Sequence, residues 1–179
     1  MQHHISRTML AAACAGTALL YGFSLAGTAA AADQATLTLN AAQGSTLAGH
    51  TFGVYRIGGY HDAVSSGEAI ASFGVRGTTA SNAWAQDAID NYNQAEAEDI
   101  DIPLGYDAAG AVASLADTGS AMQIRGIAKA LAESSRRPAA AKTVTGSGIQ
   151  AVVTVEEGYY LVVDSQGAPM LIGTKIDGR

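Results

Sequence analysis

The chain has 179 residues, a formal net charge of −6 and a single cysteine. It holds three lysines and no run of basic residues, which argues against nucleic acid or an anionic membrane as its partner. Its length is sufficient for one domain with its own hydrophobic core.

Residues 1–32 have the pattern of a secretion signal. A short, mildly cationic start leads into a mostly apolar run, and small residues at the end suit a signal peptidase. We expect cleavage after Ala30 or Ala32. The product would be secreted, extracellular or at the cell surface, with no membrane attachment after cleavage. The alternative is an uncleaved anchor, because the apolar run is nearly long enough to span a bilayer.

The only cysteine, Cys14, lies inside this signal. Ala11 stands three residues before it, where a lipoprotein signal would have a large aliphatic residue, so lipidation is not favoured. Cleavage therefore leaves a chain without cysteine, which excludes disulfides, thiolate metal sites and cysteine nucleophiles. Loss of Arg7 also brings the net charge to about −7.

Two extended segments follow the signal, at residues 36–40 and 47–57. Leu37 and Leu39 alternate with threonines in the first segment, which predicts one buried and one solvated face. The second segment has apolar side chains on both faces, as expected of a strand between a sheet partner and a covering layer. A short connection containing glycine joins the segments, so we expect a β-hairpin that ends at Gly58-Gly59.

The middle of the chain changes from strand to helix periodicity. Residues 70–75 are a short predicted strand between turn residues. A helix is predicted from an N-cap at Ser81 or Asn82, because apolar residues recur at i, i+4 and i+8 from Trp84.

An acidic cluster at residues 96–101 ends this helix and leads to Pro103. Carboxylates suit calcium, but the spacing of a calcium-binding loop is absent, so a solvated loop is the favoured interpretation. A second amphipathic helix is predicted from an N-cap at Thr118 or Ser120, with a stripe spaced i, i+3, i+4, i+7 from Ile124.

The C-terminal part of the chain has the pattern of four strands. They are predicted at residues 143–145, 150–155, 158–164 and 170–174. The last two are rich in β-branched and aromatic residues and are joined by a polar connection with glycine and proline, which is typical of a β-hairpin.

No arrangement typical of catalysis is found in the sequence after residue 32. There is no His-Glu-x-x-His motif, phosphate-binding loop, Rossmann glycine fingerprint or Gly-x-Ser-x-Gly elbow. His50 and His61 stand alone near strand ends, and adjacent carboxylates are common in an acidic chain. We therefore predict that the protein is not an enzyme and uses no cofactor or metal.

Two of these segments carry a family resemblance. The stretch Gly158-Tyr159-Tyr160-Leu161-Val162-Val163-Asp164, with its polar turn and following apolar strand, resembles the end of the N-terminal domain of Gram-positive sortase-assembled pilins of the actinobacterial type. The stretch Thr36-Leu37-Thr38-Leu39-Asn40, with its short glycine-containing connection and the following Leu47-Ala48-Gly49-His50-Thr51-Phe52-Gly53-Val54-Tyr55-Arg56-Ile57, is similar to the first hairpin of the same domain. The matching residues of both motifs are Thr51, Phe52, Tyr55, Gly158, Tyr159, Tyr160 and Asp164.

The resemblance implies a fold that is mainly β with a helical insertion (α+β), specifically a CnaB-like, immunoglobulin-related β-sandwich. A single domain would then span residues 33–179. The turn before Gly158 departs from the family pattern, because Val155-Glu156-Glu157 stands where the family usually has a proline.

The family also forms intramolecular isopeptide bonds, in which a buried lysine on the first strand attacks an asparagine or aspartate. Here the first strand has no lysine, and Arg56 stands at the Lys/Arg position of the second. A guanidinium does not deprotonate in a protein, so Arg56 cannot be the nucleophile. Lys142 and Lys175 lie at predicted strand edges or ends, and we predict no isopeptide bond in this domain.

The sequence leaves two function classes open. Because no sorting signal follows residue 179, we expect a truncated relative of such a pilin. The first class is a structural subunit or fragment of a cell-surface fimbria, with other pilin subunits or a host surface receptor as partners. The second is a stand-alone secreted domain that binds a host glycan or protein, with Trp84, Tyr159 and Tyr160 as contacts. Core packing is the favoured role of these three rings, because each falls within an apolar period.

Overall fold

The computed structural model describes residues 33–96 and 98–178, which belong to one compact unit, Ala32–Arg179. The predicted signal, with Cys14 and the cleavage positions Ala30 and Ala32, lies outside the described residues. In chain order the elements are β1 (Gln34–Asn40), β2 (Thr51–Ser66), β3 (Ala69–Arg76), α1 (Thr79–Ala95), α2 (Ala108–Thr118), α3 (Ala121–Glu133), β4 (Lys142–Thr145), β5 (Gln150–Glu156), β6 (Tyr159–Asp164) and β7 (Met170–Gly173).

A five-stranded antiparallel sheet is organised around the long strand β2. One side of β2 pairs with β6, which in turn pairs with β7. The other side pairs with β4 along its first part and with β3 along its last part. Phe52 and Val54 of β2 are buried on one face of this sheet and Ile57 on the other. The prediction that both faces of this strand carry apolar side chains is therefore confirmed.

The two faces of the five-stranded sheet pack against different layers. On one face, β1 and β5 form a two-stranded antiparallel sheet whose apolar side packs against Phe52 and Val54. On the other face, the three helices pack against Ile57 and Leu161 and contribute Trp84 to the larger core. The architecture is therefore mainly β with three helices inserted between β3 and β4, as predicted for an α+β fold.

The predicted pairing of the first two strands is wrong. β1 pairs with β5, with Leu37 opposite Val153, and β2 takes its partners from the C-terminal part of the chain. The physical reason is the matching alternation of the two strands. Leu37 and Leu39 face the same way as Ala151, Val153 and Val155, so the pair forms one apolar face that covers the sheet.

β2 also extends beyond its predicted end at Gly58-Gly59 and continues to Ser66. The glycines mark the place where β2 changes partners, because Gly58 pairs with β6 and Gly59 with β3. A side chain at Gly58 would lie 2.7 Å from the carbonyl oxygen of Arg76. Glycine is therefore required here because the neighbouring strand approaches closely, and β2 continues past Gly58 without a break.

The helices agree with the sequence in part. Ser120 caps α3, as predicted, while the cap of α1 is Thr78 rather than Ser81 or Asn82. Thr78 and Ser81 form a reciprocal capping box: Ser81 is the third helical residue, its hydroxyl accepts from the amide of Thr78, and its amide donates to the hydroxyl of Thr78. Helix α2 was not predicted, because its alanine-rich sequence lacks a polar face from which a helical period can be recognised.

The remaining strand predictions are confirmed. β3, β4 and β5 lie within two residues of their predicted bounds. β6 and β7 form the predicted antiparallel hairpin, with Tyr160 opposite Ile172.

Candidate functional site

The two motif stretches, which lie about a hundred residues apart in sequence, are neighbouring strands. In the antiparallel pair of β2 and β6, Phe52 lies opposite Asp164, Tyr55 opposite Leu161 and Gly58 opposite Tyr159. The candidate site is therefore this strand pair with its two ends, and it forms the centre of the five-stranded sheet.

Tyr160 and Tyr159 belong to the two cores on opposite faces of the sheet. Tyr160 is 1% exposed and donates a hydrogen bond of 2.6 Å to the carbonyl oxygen of Glu156. Burial raises the pKa of Tyr159 and of Tyr160 to about 12. Trp84 is also fully buried, and its ring nitrogen donates to the carbonyl oxygen of Leu131 at 3.0 Å. All three rings pack in the core, and each is less than a tenth exposed.

Gly158 immediately precedes β6 and lies close to the backbone of β2. A side chain there would collide with the carbonyl oxygen of Gly58. The amide of Gly158 donates to the hydroxyl of Thr174 at 2.9 Å, and its carbonyl accepts from the Thr174 amide at 3.0 Å. These hydrogen bonds close the open end of the β6–β7 hairpin, and the lack of a side chain at Gly158 lets this end lie close to β2.

Arg56 lies beside this junction and links it to the turn between β5 and β6. Its guanidinium donates to the carboxylate of Glu156, and to the carbonyl oxygen of Glu157 at 2.9 Å. Lys142 and Lys175, the other residues considered for isopeptide chemistry, are exposed. The absence of an isopeptide bond stays a prediction.

Asp164 and His50 meet at the opposite end of the strand pair. The Nδ1 atom of His50 lies 2.9 Å from Oδ2 of Asp164, and both side chains are largely buried. The amide of Thr51 donates to the hydroxyl of Ser165, and its carbonyl oxygen accepts from the Ser165 amide. The imidazole of His50 also stacks on Phe52, with ring centroids 6.0 Å apart. The motif residues at this end therefore fasten the β6–β7 turn to the start of β2.

Tyr55 is the motif residue that faces the helices. Its half-buried ring lies 6.4 Å from that of Trp84, and the guanidinium of Arg137 lies 5.0 Å from its centroid. Arg137 follows α3, so this cation–π contact joins the end of the helical insertion to the central sheet.

A polar junction that sequence reasoning missed holds the start of the helical insertion. The carboxylate of Asp107 caps α2 by accepting from the Gly110 amide at 2.8 Å. It also accepts from the Gly77 amide at 2.9 Å and from Asn82 Nδ2 at 3.0 Å. Burial by itself would raise the pKa of Asp107, but these three hydrogen bonds and the charge of Arg76 outweigh it and lower the pKa. The sequence signal was present, since aspartate before an alanine-rich run is a common N-cap.

A groove that sequence reasoning also missed runs between β3 and α2 and has a volume of about 450 Å³. Phe73 and Tyr106, both about half exposed, lie along it, and Tyr60 and Tyr159 contribute to its lining. Single aromatic residues in a strand or loop give no sequence signal that they share one groove.

One group of carboxylates has the spacing of a metal site, with oxygens of Asp33, Glu157 and Asp177 within 4.8 Å of one another. Glu157 already accepts a hydrogen bond of 2.8 Å from the Asp177 amide, so the group joins the last described residues to the β5–β6 turn. The acidic residues near position 100, considered for calcium above, are exposed at 98, 99 and 101.

Comparison with family models, with curated proteins and with solved structures gave no match. None of the helices in the described part of the chain is long and apolar enough to cross a bilayer.

Proposed function

We propose that the protein is a non-catalytic structural module of a cell-surface fimbria, with a CnaB-like, immunoglobulin-related sandwich. The observation that carries the proposal is the pairing of β2 with β6. It joins both pilin-like motifs in one strand pair, with a covering sheet on one face and a helical insertion on the other.

The roles of the motif residues agree with a mechanical function. His50 and Asp164 fasten one end of the strand pair, and Arg56 fastens the other end through the carboxylate of Glu156 and the carbonyl oxygen of Glu157. These contacts link segments that are far apart in the sequence. A force that stretches the chain would therefore have to break them before the strands separate. Long-range pairing of this kind suits a subunit that transmits tension between its partners.

The alternative is a secreted domain that binds a host glycan or protein through Trp84, Tyr159 and Tyr160. Each of these three rings is less than a tenth exposed, which makes this interpretation less favoured. Other pilin subunits are therefore the favoured partners, and a host surface receptor remains an outcome of the experiment below.

The test is to fractionate producing cells and probe boiled SDS extracts with an antibody against this domain. A ladder of high molecular mass in the wall fraction is expected, because sortase-assembled subunits are covalently joined. A single band near the mature mass, free in the medium, would contradict the fimbrial proposal and favour a stand-alone secreted module.

A variant without lysine tests whether this domain supplies the amine through which one subunit is covalently joined to the next. Lys129, Lys142 and Lys175 are all exposed, and replacing the three with arginine keeps their charge but removes every lysine of the chain. Loss of the ladder in this variant, with secretion unchanged, would place the linkage in this domain. An unchanged ladder would place it elsewhere in the assembly.

A further inference from the structure

The groove between β3 and α2 lies over the helix-facing side of the five-stranded sheet. Tyr60 of β2 is paired with Val75 of β3, and Phe73 stands two residues before Val75, so these side chains share one face. Tyr159 of β6 belongs to the core on the same face. Helix α2 lines the opposite wall with small residues and Asp117, which leaves an open volume of about 450 Å³. A volume of this size is typical of a small-molecule site.

The phenol of Tyr159 lines this groove without a hydrogen-bond partner. The residue is only 8% exposed. Its hydroxyl makes no hydrogen bond within residues 33–96 and 98–178, and the oxygen is not fully enclosed by the protein, so it opens onto the groove. Burial, followed by the charges of Tyr60 and Asp117, raises the pKa of Tyr159 to about 12, so the hydroxyl keeps its proton at neutral pH. A largely buried hydroxyl without a partner costs free energy, which a ligand in the groove would recover.

Most of the other polar side chains in the lining offer acceptors rather than donors. The hydroxyls of Ser114 and Thr174 donate to backbone carbonyl oxygens at 2.8 and 3.0 Å, and Tyr60 Oη donates to the carbonyl oxygen of Thr174 at 2.9 Å. These oxygens can accept further hydrogen bonds but have no hydrogen left to donate. The carboxylate of Asp117 has only acceptors when it is ionised. The groove therefore suits a ligand that is rich in hydrogen-bond donors.

The charge and the rings of the groove favour a cation. Asp117 is the only charged residue of the lining, and in the described part of the chain its carboxylate has no hydrogen bond or salt bridge. The rings of Phe73 and Tyr60 meet edge to face with centroids 5.1 Å apart, and the half-exposed ring of Tyr106 belongs to the same lining. Aromatic rings together with a free carboxylate are a favourable environment for a positively charged ligand.

We propose that this groove binds a small organic molecule that carries a protonated primary amine on an apolar body. The ammonium group donates to the hydroxyl of Tyr159 and to the carboxylate of Asp117, and the apolar body packs against the rings of Phe73 and Tyr106. A primary ammonium has three N–H donors and a positive charge, which match the acceptors and the negative charge of the lining. The proposal does not depend on the fimbrial function.

A glycan is a poorer occupant of this groove than an amine. Each sugar hydroxyl both donates and accepts hydrogen bonds, and the lining has few hydrogens to offer to the acceptors of a sugar. A neutral sugar also leaves the carboxylate of Asp117 without an opposite charge. The experiment below therefore includes a sugar as a competing outcome.

The binding test compares compounds that share one phenethyl body, in titrations of the purified protein followed by proton–nitrogen NMR spectra. Phenethylamine, which is protonated at neutral pH, should bind saturably and shift amide signals of β3 and α2. The alcohol 2-phenylethanol should bind about tenfold more weakly, because the ion pair and the cation–π contact are both lost. The trimethylated ammonium analogue of phenethylamine keeps the charge but has no N–H donor, so its affinity should lie between the other two.

Three results of this titration would overturn the proposal. The first is equal affinity for the amine and the alcohol, which would show that the groove does not select a cation. The second is the absence of saturable binding of phenethylamine, or binding whose shifts lie away from β3 and α2. The third is saturable binding of N-acetylglucosamine at these amides in place of the amine, which would assign the groove to a glycan.

Two protein variants test the residues that hold the ammonium group. Asp117→Asn should weaken phenethylamine about threefold and leave 2-phenylethanol unchanged. Tyr159→Phe keeps the ring and removes the hydroxyl, so it should also weaken phenethylamine about threefold. It should not lower the free energy of unfolding, because this hydroxyl has no partner within the described residues.

Each variant has a matched control on α1, outside the groove. Asp90→Asn changes an exposed carboxylate, and Tyr92→Phe removes the hydroxyl of another buried tyrosine. Neither control should change the affinity for phenethylamine. If Asp117→Asn and Tyr159→Phe both bind phenethylamine as tightly as the unmodified protein does, the amine does not bind at these residues and the proposal is wrong.

Discussion

Substitution of Asp107 tests how the helical insertion is attached to the sheet. One carboxylate serves three donors, namely the amides of Gly110 and Gly77 and the side chain of Asn82. Loss of an N-cap costs about 1 kcal/mol, and each further hydrogen bond to a charged acceptor about 1 kcal/mol. We therefore expect Asp107→Ala to lower the free energy of unfolding by about 3 kcal/mol in urea denaturation.

Two variants separate the contributions. Asp107→Asn keeps an oxygen that can cap α2 but replaces the second acceptor oxygen, so about half of the loss is expected. Asp90→Asn, on the exposed face of α1, should cost less than about 0.5 kcal/mol. If Asp107→Ala costs no more than Asp90→Asn, the three-donor junction does not stabilise the fold and the reasoning is refuted.

The pH dependence provides a second readout for Asp107. Its pKa in the folded protein lies below the ordinary value of 3.8, so the folded state binds this proton less readily than the unfolded state. The resulting stability is present above that ordinary pKa and is lost as the pH falls through the folded pKa. The difference in unfolding free energy between the unmodified protein and Asp107→Asn should therefore shrink in acid. A difference that is constant with pH would contradict this assignment.

Three further predictions concern the central strand pair. Burial raises the pKa of Tyr160 from 10.0 to about 12, so the free energy of unfolding should fall as the pH rises above 10.0. The fall should be less steep in Tyr160→Phe, and equal slopes in the two proteins would contradict this. Gly158→Ala should cost about 2 kcal/mol in thermal or urea unfolding, because the added methyl group meets a backbone carbonyl of β2. Gly173→Ala, which chiefly meets a movable tyrosine hydroxyl, should cost less, and the reverse order would refute the steric argument. A double-mutant cycle with His50→Ala and Asp164→Ala should give a coupling free energy of about 1 kcal/mol, whereas additive losses would show that the pair does not interact.

The sequence was most informative where the signal is local. The β6–β7 hairpin was predicted because its two apolar strands flank a polar connection with glycine and proline, and turn chemistry acts over a few residues. The second amphipathic helix was predicted from its cap at Ser120 and its apolar stripe from Ile124. The apolar period of the first predicted helix also placed Trp84 in the core, where the structure buries it.

Local signals failed where two structures satisfy the same pattern. An alternating strand such as β1 can pair with any strand of matching alternation. Proximity in the sequence favoured β2 as its partner, but in the structure β1 pairs with β5, and the pair covers the apolar face of the five-stranded sheet. Helix α2 was not predicted because its alanines are buried around most of its circumference. Its sequence therefore shows no polar face that alternates with an apolar face at the helical period.

The sequence by itself determined the strands with turns at their ends, and the N-cap and apolar stripe of α3. Only the tertiary structure decided that β2 and β6 pair, that Asp107 joins three segments, and that Phe73, Tyr106 and Asp117 share one groove. The physical reason is that caps, turns and side-chain periods depend on neighbours within a few residues. Strand order and grooves depend on which distant surfaces pack together, and that choice minimises exposed apolar area and unpaired backbone over the whole domain.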